Sequence, residues 1–220
     1  GKNSVSIGYK AVSGIETPTP TQTNAFSVSI GNETEAIDAS TIAIGDKAKA
    51  KGGVDALAVG TQANAMTYKA LAIGAYSQAT GRQSTVIGND IQGQPSIASG
   101  TRSQILGVQS NVSGDNSVSI GDTNTIASAR TYALGNNINA AAGTDDSLAF
   151  GTSAAVEGAN TIAMGNTAKA HTENSISIGK NSESGKVDKF DGKQSVAIGF
   201  EAKSMGTSTI AMGSYATSEN

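Results

Sequence analysis

The chain of 220 residues holds one histidine, His171, no cysteine and no tryptophan. A single imidazole cannot build a multi-histidine metal site. Without cysteine there is no thiolate nucleophile, no Cys-ligated metal and no disulfide framework. His171 follows Ala170 in a polar stretch and reads as a solvated turn residue. Asp188 and Asp191 with Gly192 offer carboxylates near a turn, but their spacing fits no standard calcium loop and reads as a polar tip. Asp145-Asp146 reads as another turn. The triplets Asn32-Glu33-Thr34 and Asn111-Val112-Ser113 match the N-glycosylation acceptor, a short and weak motif. Gly52-Gly53 is no phosphate-binding loop. No nucleophile, base and acid converge, so neither a catalytic residue nor a cofactor is expected.

The elements that would position any site are set by an unusual composition. Gly, Ala, Ser and Thr supply 109 of the 220 residues, whereas Leu, Ile, Val and Phe supply 40. So few large apolar side chains signal disorder when net charge is high, but the net charge here is only -3. The remaining way to fold is to repeat a thin core many times. Collagen is excluded, since only three prolines are present. Fifteen basic residues against eighteen acidic ones leave no basic footprint for nucleic acid or an anionic membrane surface. No apolar run approaches the length of a membrane-spanning helix. The sequence starts and ends inside its own pattern, as an excised piece of a longer protein would.

That pattern is a five-residue word: small or hydroxyl, apolar, small, apolar, Gly. It ends at Gly8, Gly31, Gly45, Gly60, Gly74, Gly88, Gly107, Gly121, Gly135, Gly151, Gly165, Gly179, Gly199 and Gly213, and eight of the thirteen intervals are 14 residues. A fixed period of this length marks a solenoid. Strict alternation within each word predicts a strand with one buried face. The buried set is expected to be Val5, Ile7, Val28, Ile30, Ile42, Ile44, Leu57, Val59, Leu71, Ile73, Val118 and Ile120. It continues through Leu134, Leu148, Phe150, Ile162, Met164, Ile176, Ile178, Val196, Ile198, Ile210 and Met212, with Tyr132 as further filler. The glycine then turns the chain, most simply with a positive φ. Small residues three and five places after each glycine, as in Ala48-Lys49-Ala50 and Ala168-Lys169-Ala170, predict a second short strand with its small side chains inward. The fold class is therefore all-β: a two-sided parallel β-solenoid of about fourteen 14-residue coils, treated as a single domain over 1–220. Parallel neighbours about 4.8 Å apart would make a rod on the order of 65 Å long.

Two sizeable apolar side chains per coil, worth roughly 1.5–3 kcal/mol each, do not offset the backbone entropy of a coil at roughly 1–2 kcal/mol per residue. An oligomer packed along its whole length is expected. The small side chains between the apolar ranks form a flat face that a second subunit could approach closely.

Asn3-Ser4-Val5-Ser6-Ile7-Gly8, Asn116-Ser117-Val118-Ser119-Ile120-Gly121, Asn174-Ser175-Ile176-Ser177-Ile178-Gly179 and Gln194-Ser195-Val196-Ala197-Ile198-Gly199 resemble the head repeat of YadA-type trimeric autotransporter adhesins. The resemblance runs through essentially the whole chain. It implies a left-handed parallel β-roll assembled as a homotrimer. It also implies a head exposed at the outer membrane of a Gram-negative bacterium, carried on a stalk and an anchor that this sequence does not contain. The implied function is attachment to host cells or matrix, with collagen, fibronectin, laminin or Ig-like CEACAM receptors as partners. This part of the protein is not expected to touch a membrane or nucleic acid.

Three insertions depart from the repeat and are expected to form corner loops carrying the receptor contacts. The first includes Ile15, Glu16 and Thr17 and ends at Phe26. The second includes Ile91, Gln92 and Gln94. The third includes Lys186, Val187, Lys189 and Phe190. Aromatic residues past the repeat glycines (Tyr9, Tyr68, Tyr76, Phe200 and Tyr215) are either exposed binding candidates or packed against a neighbour. Two consecutive words, Ser84-Thr85-Val86-Ile87 and Ser103-Gln104-Ile105-Leu106, break the pattern by placing Thr85 and Gln104 in the apolar rank. Either the strand drifts and repacks there, or the surface is locally specialised. Two other functions compete with adhesion. A β-helix carbohydrate-active enzyme would need clustered Asp, Arg or His, yet the chain has only Arg82, Arg102 and Arg130 as arginines. An ice-binding solenoid would use the Ser/Thr rank four places before each glycine as an outward hydroxyl ladder.

Overall fold

The computed structural model describes residues 3–14, 26–89, 93–186 and 193–219. These form 28 short strands and no helix, a parallel β-solenoid of about 13 turns. Contacts gather into two units, Gly1–Asn111 and Val112–Asn220.

In the first unit the front strands are Val5–Ile7, Val28–Ile30, Ile42–Ile44, Leu57–Val59, Leu71–Ile73, Thr85–Ile87 and Gln104–Leu106. Each pairs in parallel with the next. The back strands Val12–Gly14, Glu35–Ile37, Lys49–Ala50, Asn64–Ala65, Gln78–Ala79 and Ile97–Ala98 pair likewise. In the second unit the front strands are Val118–Ile120, Tyr132–Leu134, Leu148–Phe150, Ile162–Met164, Ile176–Ile178, Val196–Ile198 and Ile210–Met212. Its back strands run from Thr125–Ile126 through Asn139–Ala140, Ala155–Val156, Lys169–Ala170, Glu183–Ser184 and Lys203–Ser204 to Thr217–Ser218.

Insertions leave the register intact. Val5 faces Val28, Thr85 faces Gln104 and Ile176 faces Val196 across the three longest intervals. Equivalent side chains therefore stack in ranks, one per coil. The proposed drift at Thr85 and Gln104 does not occur. Thr85 N donates to Ser103 O at 2.9 Å and Leu71 N donates to Ser84 O at 2.9 Å, so the ladder runs straight through both coils.

Among the described residues most coils turn twice, each time on a residue in the left-handed region. One lies two places after the repeat glycine, as at Lys47 (φ 54°), and the other five places before it, as at Asn116 (φ 56°) and Asn174 (φ 58°). The two positions are seven residues apart, so the coil is two half-coils of equal length. Asparagine is the non-glycine residue that tolerates this region best, which explains the Asn that opens several of the words. Thirteen of the fourteen repeat glycines have φ between 118° and 148°, and Gly88 alone lies outside the left-handed region. Space is the second requirement. A Cβ on Gly31, Gly60 or Gly165 would overlap the carbonyl of the glycine in the next coil.

The interior reverses one expectation. On the front strands the middle residue points inward: Ser29, Ala43, Ala58, Ala72, Ala149, Ala163, Ser177 and Ala197 are completely buried. The apolar residues expected as core point outward. Val5, Ile7, Ile42, Ile44, Ile120, Tyr132, Leu134, Phe150, Ile210 and Met212 are exposed. Val28, Ile30, Leu57, Val59, Leu71, Ile73, Val118, Leu148, Ile162, Met164, Ile176, Ile178, Val196 and Ile198 are partly exposed. The two half-coils are closed by tight turns that hold the sheets close, and mostly small side chains lie between them, with Val86, Ile105, Val112, Ile126, Ile138 and Val156 as larger buried exceptions. The back strands do put Ala48, Ala50, Ala63, Ala65, Ala168 and Ala170 inward, as their spacing predicted. So most coils fill their interior mainly with small residues from both sheets. Alternation says that successive side chains face opposite ways, but not which way is in.

Most interior hydroxyls are satisfied by the turns, although among the described residues Ser184 Oγ and Ser195 Oγ are buried without a partner. Thr41 Oγ1 donates to Asp38 O at 3.0 Å, Ser84 Oγ to Gly81 O at 2.7 Å and Thr161 Oγ1 to Gly158 O at 2.9 Å. A Ser or Thr four places before the glycine thus closes the turn just upstream of it. Val86 and Ile105 occupy inward positions usually held by Ala or Ser and are buried to 0% and 1% exposure.

Candidate binding surfaces

The front sheet of each unit presents an apolar surface to solvent. Within the first unit Ile30, Ile44, Val59, Ile73 and Ile87 form one outward rank, and Val28, Ile42, Leu57 and Leu71 form another. Within the second unit Ile120, Leu134, Phe150, Met164, Ile178, Ile198 and Met212 do the same. Exposure reaches 57% at Ile7 and 68% at Met212. Contiguous apolar patches of this kind mark interaction sites in soluble proteins. The face predicted to meet another subunit, the small-residue one, is instead the interior.

The back sheets are polar. Glu35 is the clearest electrostatic centre, with Lys49 Nζ 3.2 Å and Lys51 Nζ 2.9 Å from its carboxylate oxygens. Partial burial raises its pKa, but hydrogen bonds from Lys51 and Lys49 outweigh that and hold it below the ordinary carboxylate value. At a corner of the second unit Arg130 grips Asp146 with two bonds, of 2.5 Å and 2.8 Å. Those bonds lower the Asp146 pKa and raise that of Arg130. Tyr68 lies under two cations, with Lys69 and Arg82 each 5.1 Å from its ring centre. Phe200 and Tyr215 meet edge to face at 5.3 Å. Of the aromatic residues past the glycines, Tyr9, Tyr76, Phe200 and Tyr215 are exposed and Tyr68 is half-buried.

His171 is not a solvated turn residue. Its side chain is 3% exposed and bonded on both nitrogens: Nδ1 to Glu157 Oε2 at 2.8 Å and Nε2 to Glu183 Oε1 at 2.7 Å. Glu157 lies one period of 14 upstream, so its coil position was legible from the spacing. The burial was not. Among the described residues no three His, Asp or Glu side chains are placed to hold a metal ion.

The expected receptor residues are only partly described. Phe26 is 56% exposed just ahead of Val28–Ile30. Gln94 is exposed and Lys186 half-buried. Phe26 and Gln94 belong to the first unit and are several coils apart, whereas Lys186 belongs to the second. Ile15, Glu16, Thr17, Ile91, Gln92, Val187, Lys189 and Phe190 lie outside the described residues, as do Asp188 and Asp191. The outward hydroxyl ladder that an ice-binding face would need does not form. The Ser/Thr rank is buried, with Ser27, Thr41, Ser84, Ser117 and Thr131 all at 0% exposure.

A family model described as the YadA head domain repeat (2 copies) matches residues 68–90, 106–127, 157–182 and 191–216. The chain carries repeats similar to those of YadA heads. Three of the four matched stretches hold two complete words, ending at Gly74 and Gly88, at Gly165 and Gly179, and at Gly199 and Gly213. Together the four cover a little under half of the chain. Comparison with curated proteins gave no match. YadA-type heads are surface-exposed parts of autotransporter adhesins, so the family points to adhesion at a cell surface and not to catalysis.

Proposed function

We propose that this chain is the adhesive head of a homotrimeric outer-membrane adhesin of a Gram-negative bacterium, a single left-handed β-roll over 1–220. Its three copies pack front sheet against front sheet about a common axis. The observation that carries this reading is the outward apolar rank in each unit, for example Ile30-Ile44-Val59-Ile73 and Ile120-Leu134-Phe150-Met164. Facing ranks would supply the large apolar core that small-residue coils lack, at roughly 25 cal/mol per Å² removed from water. The number three comes from the family and not from the arithmetic of burial.

With front sheets occupied, the back sheets and corners remain for ligand. A host matrix protein such as collagen, fibronectin or laminin, or an Ig-like receptor such as a CEACAM, would meet the polar back ranks and the insertions at Phe26, Gln94 and Lys186. Three equivalent copies of each contact convert weak single sites into firm attachment by avidity. The test is light scattering on the purified chain at low micromolar concentration, followed by binding to immobilised matrix proteins and receptor ectodomains. A mass near three times 21.9 kDa with saturable binding to one of them supports the reading. A folded, stable single chain overturns it.

A further inference from the structure

The outward ranks of the first unit are nearly uniform. Coil after coil offers an aliphatic pair: Val28 with Ile30, Ile42 with Ile44, Leu57 with Val59, Leu71 with Ile73. Such a face does not fix its own alignment. A copy moved along by one coil, about 4.8 Å, again sets aliphatic side chains against aliphatic side chains. Something must remove this degeneracy if three copies are to end at the same level.

Thr85 and Gln104 are the exceptions in that unit. They occupy the same rank as Leu71: Thr85 pairs with Leu71 on one side and with Gln104 on the other. The strand has not slipped to put them there, because Ser84 Oγ and Ser103 Oγ still donate to Gly81 O and Gly100 O at 2.7 and 2.6 Å, as elsewhere in the repeat. Inside the same two coils the small middle residue is replaced by buried Val86 and Ile105. These coils therefore carry a polar group outside and a larger apolar group inside, the reverse of their neighbours.

We propose that Thr85 and Gln104 form the register key of the assembled head, a pair of polar layers that sets the axial alignment of the copies. The inference rests on the trimeric reading above. In register, each hydroxyl or amide meets its own kind on the other copies and can exchange hydrogen bonds with it. Shifted by one coil, Thr85 of one copy lies level with Leu71 of another, and buried polar groups lose their partners. A single polar layer in an otherwise apolar seam fixes register in coiled coils by the same logic, at a cost in stability.

The chain has no cysteine, so alignment can be read with introduced ones. Full-length chains carrying Val59→Cys are mixed with chains carrying Ile73→Cys before assembly and treated with a short thiol cross-linker. In the otherwise native protein, 59–59 and 73–73 products are expected with few 59–73 products. Adding Thr85→Val and Gln104→Ile should raise the 59–73 fraction about tenfold, and Gln104→Leu alone should give an intermediate rise. The conservative pair Thr85→Ser and Gln104→Asn should keep it low, which holds the test open if the apolar variant misfolds. An unchanged 59–73 fraction in a folded, trimeric Gln104→Leu or apolar double variant overturns the key while leaving the trimer standing. A single-chain mass for the native protein with no cross-link of any kind overturns the trimer, and the key with it.

Discussion

Nε2 of His171 lies 2.7 Å from Oε1 of Glu183 in the next coil, and the opposite ring nitrogen is held by Glu157 of the coil before. One buried ring thus clips three successive coils of the second unit together. Lys203 extends the chain of charges, its Nζ 3.8 Å from Glu183. Replacing His171 with alanine would leave a gap and two carboxylates without their shared partner. A loss of about 1–3 kcal/mol is expected. Urea unfolding of His171→Ala beside the native chain measures it, and an unchanged midpoint would show that the clip contributes nothing.

The Glu35 cluster makes a pH prediction for the first unit. The Glu35 pKa is lowered in the fold, because the Lys51 and Lys49 bonds outweigh the effect of burial. The unfolded chain therefore binds the proton more readily. The stabilisation is complete above the ordinary glutamate value, about 4.3, and is lost as pH falls through the lowered one. The amount is at most about 1 kcal/mol, since the group is partly solvated. Glu35→Gln should lower the melting point more at pH 7 than at pH 3. Equal shifts at both values would contradict the assignment.

Glycines of one sequence position should not be equally intolerant. At Gly165 an added Cβ meets the carbonyl carbon of Gly179 at 2.6 Å, whereas at Gly213 the only neighbour is the Ala216 Cβ at 3.9 Å. Both have positive φ, 138° and 122°. Gly213→Ala should cost only the conformational strain, about 1–2 kcal/mol. Gly165→Ala should cost a further ~2 kcal/mol or more, because the next coil must move. Comparing denaturation midpoints of the two variants tests the stacking argument, and equal losses would remove it.

Most of the fold was readable because a period of 14 and an alternation of 2 are both visible in the letters. The direction of the front strands was not. Val28 and Ile30 alternate with Ser29 whichever set is inside, and hydrophobicity alone favours the valine and isoleucine. The back strands carried the signal: Ala48 and Ala50 are inward there, and the interior between turns seven residues apart is filled mainly by such small residues, with valine and isoleucine entering only in some coils, as at Val86, Ile105 and Ile126. The binding surfaces were less legible. Partners of His171 are 12 and 14 positions away, a distance that matters only once coils stack. Thr85 and Gln104 stood out at once as exceptions in the repeat. Whether they reflected drift or a specialised surface depended on the strand register.

The inward and outward positions of one strand should respond oppositely to substitution. Ala43 is completely buried and Ile44, its neighbour, is 36% exposed. Ala43→Leu would force a large side chain between two closely held sheets and should destabilise each chain by about 1–3 kcal/mol or more. Ile44→Glu touches nothing inside the coil. In an isolated chain it should be nearly neutral, as exposed substitutions are. In a trimer closed through the front sheets it places three carboxylates in an apolar seam, where burying an unpaired charge is strongly unfavourable. The expected result is a shift of the Ile44→Glu protein toward single-chain mass in light scattering, with the strand signal in circular dichroism weakened only as far as the coils depend on one another. A trimer of unchanged mass and stability carrying Ile44→Glu would mean that the front sheets are not the surfaces that meet.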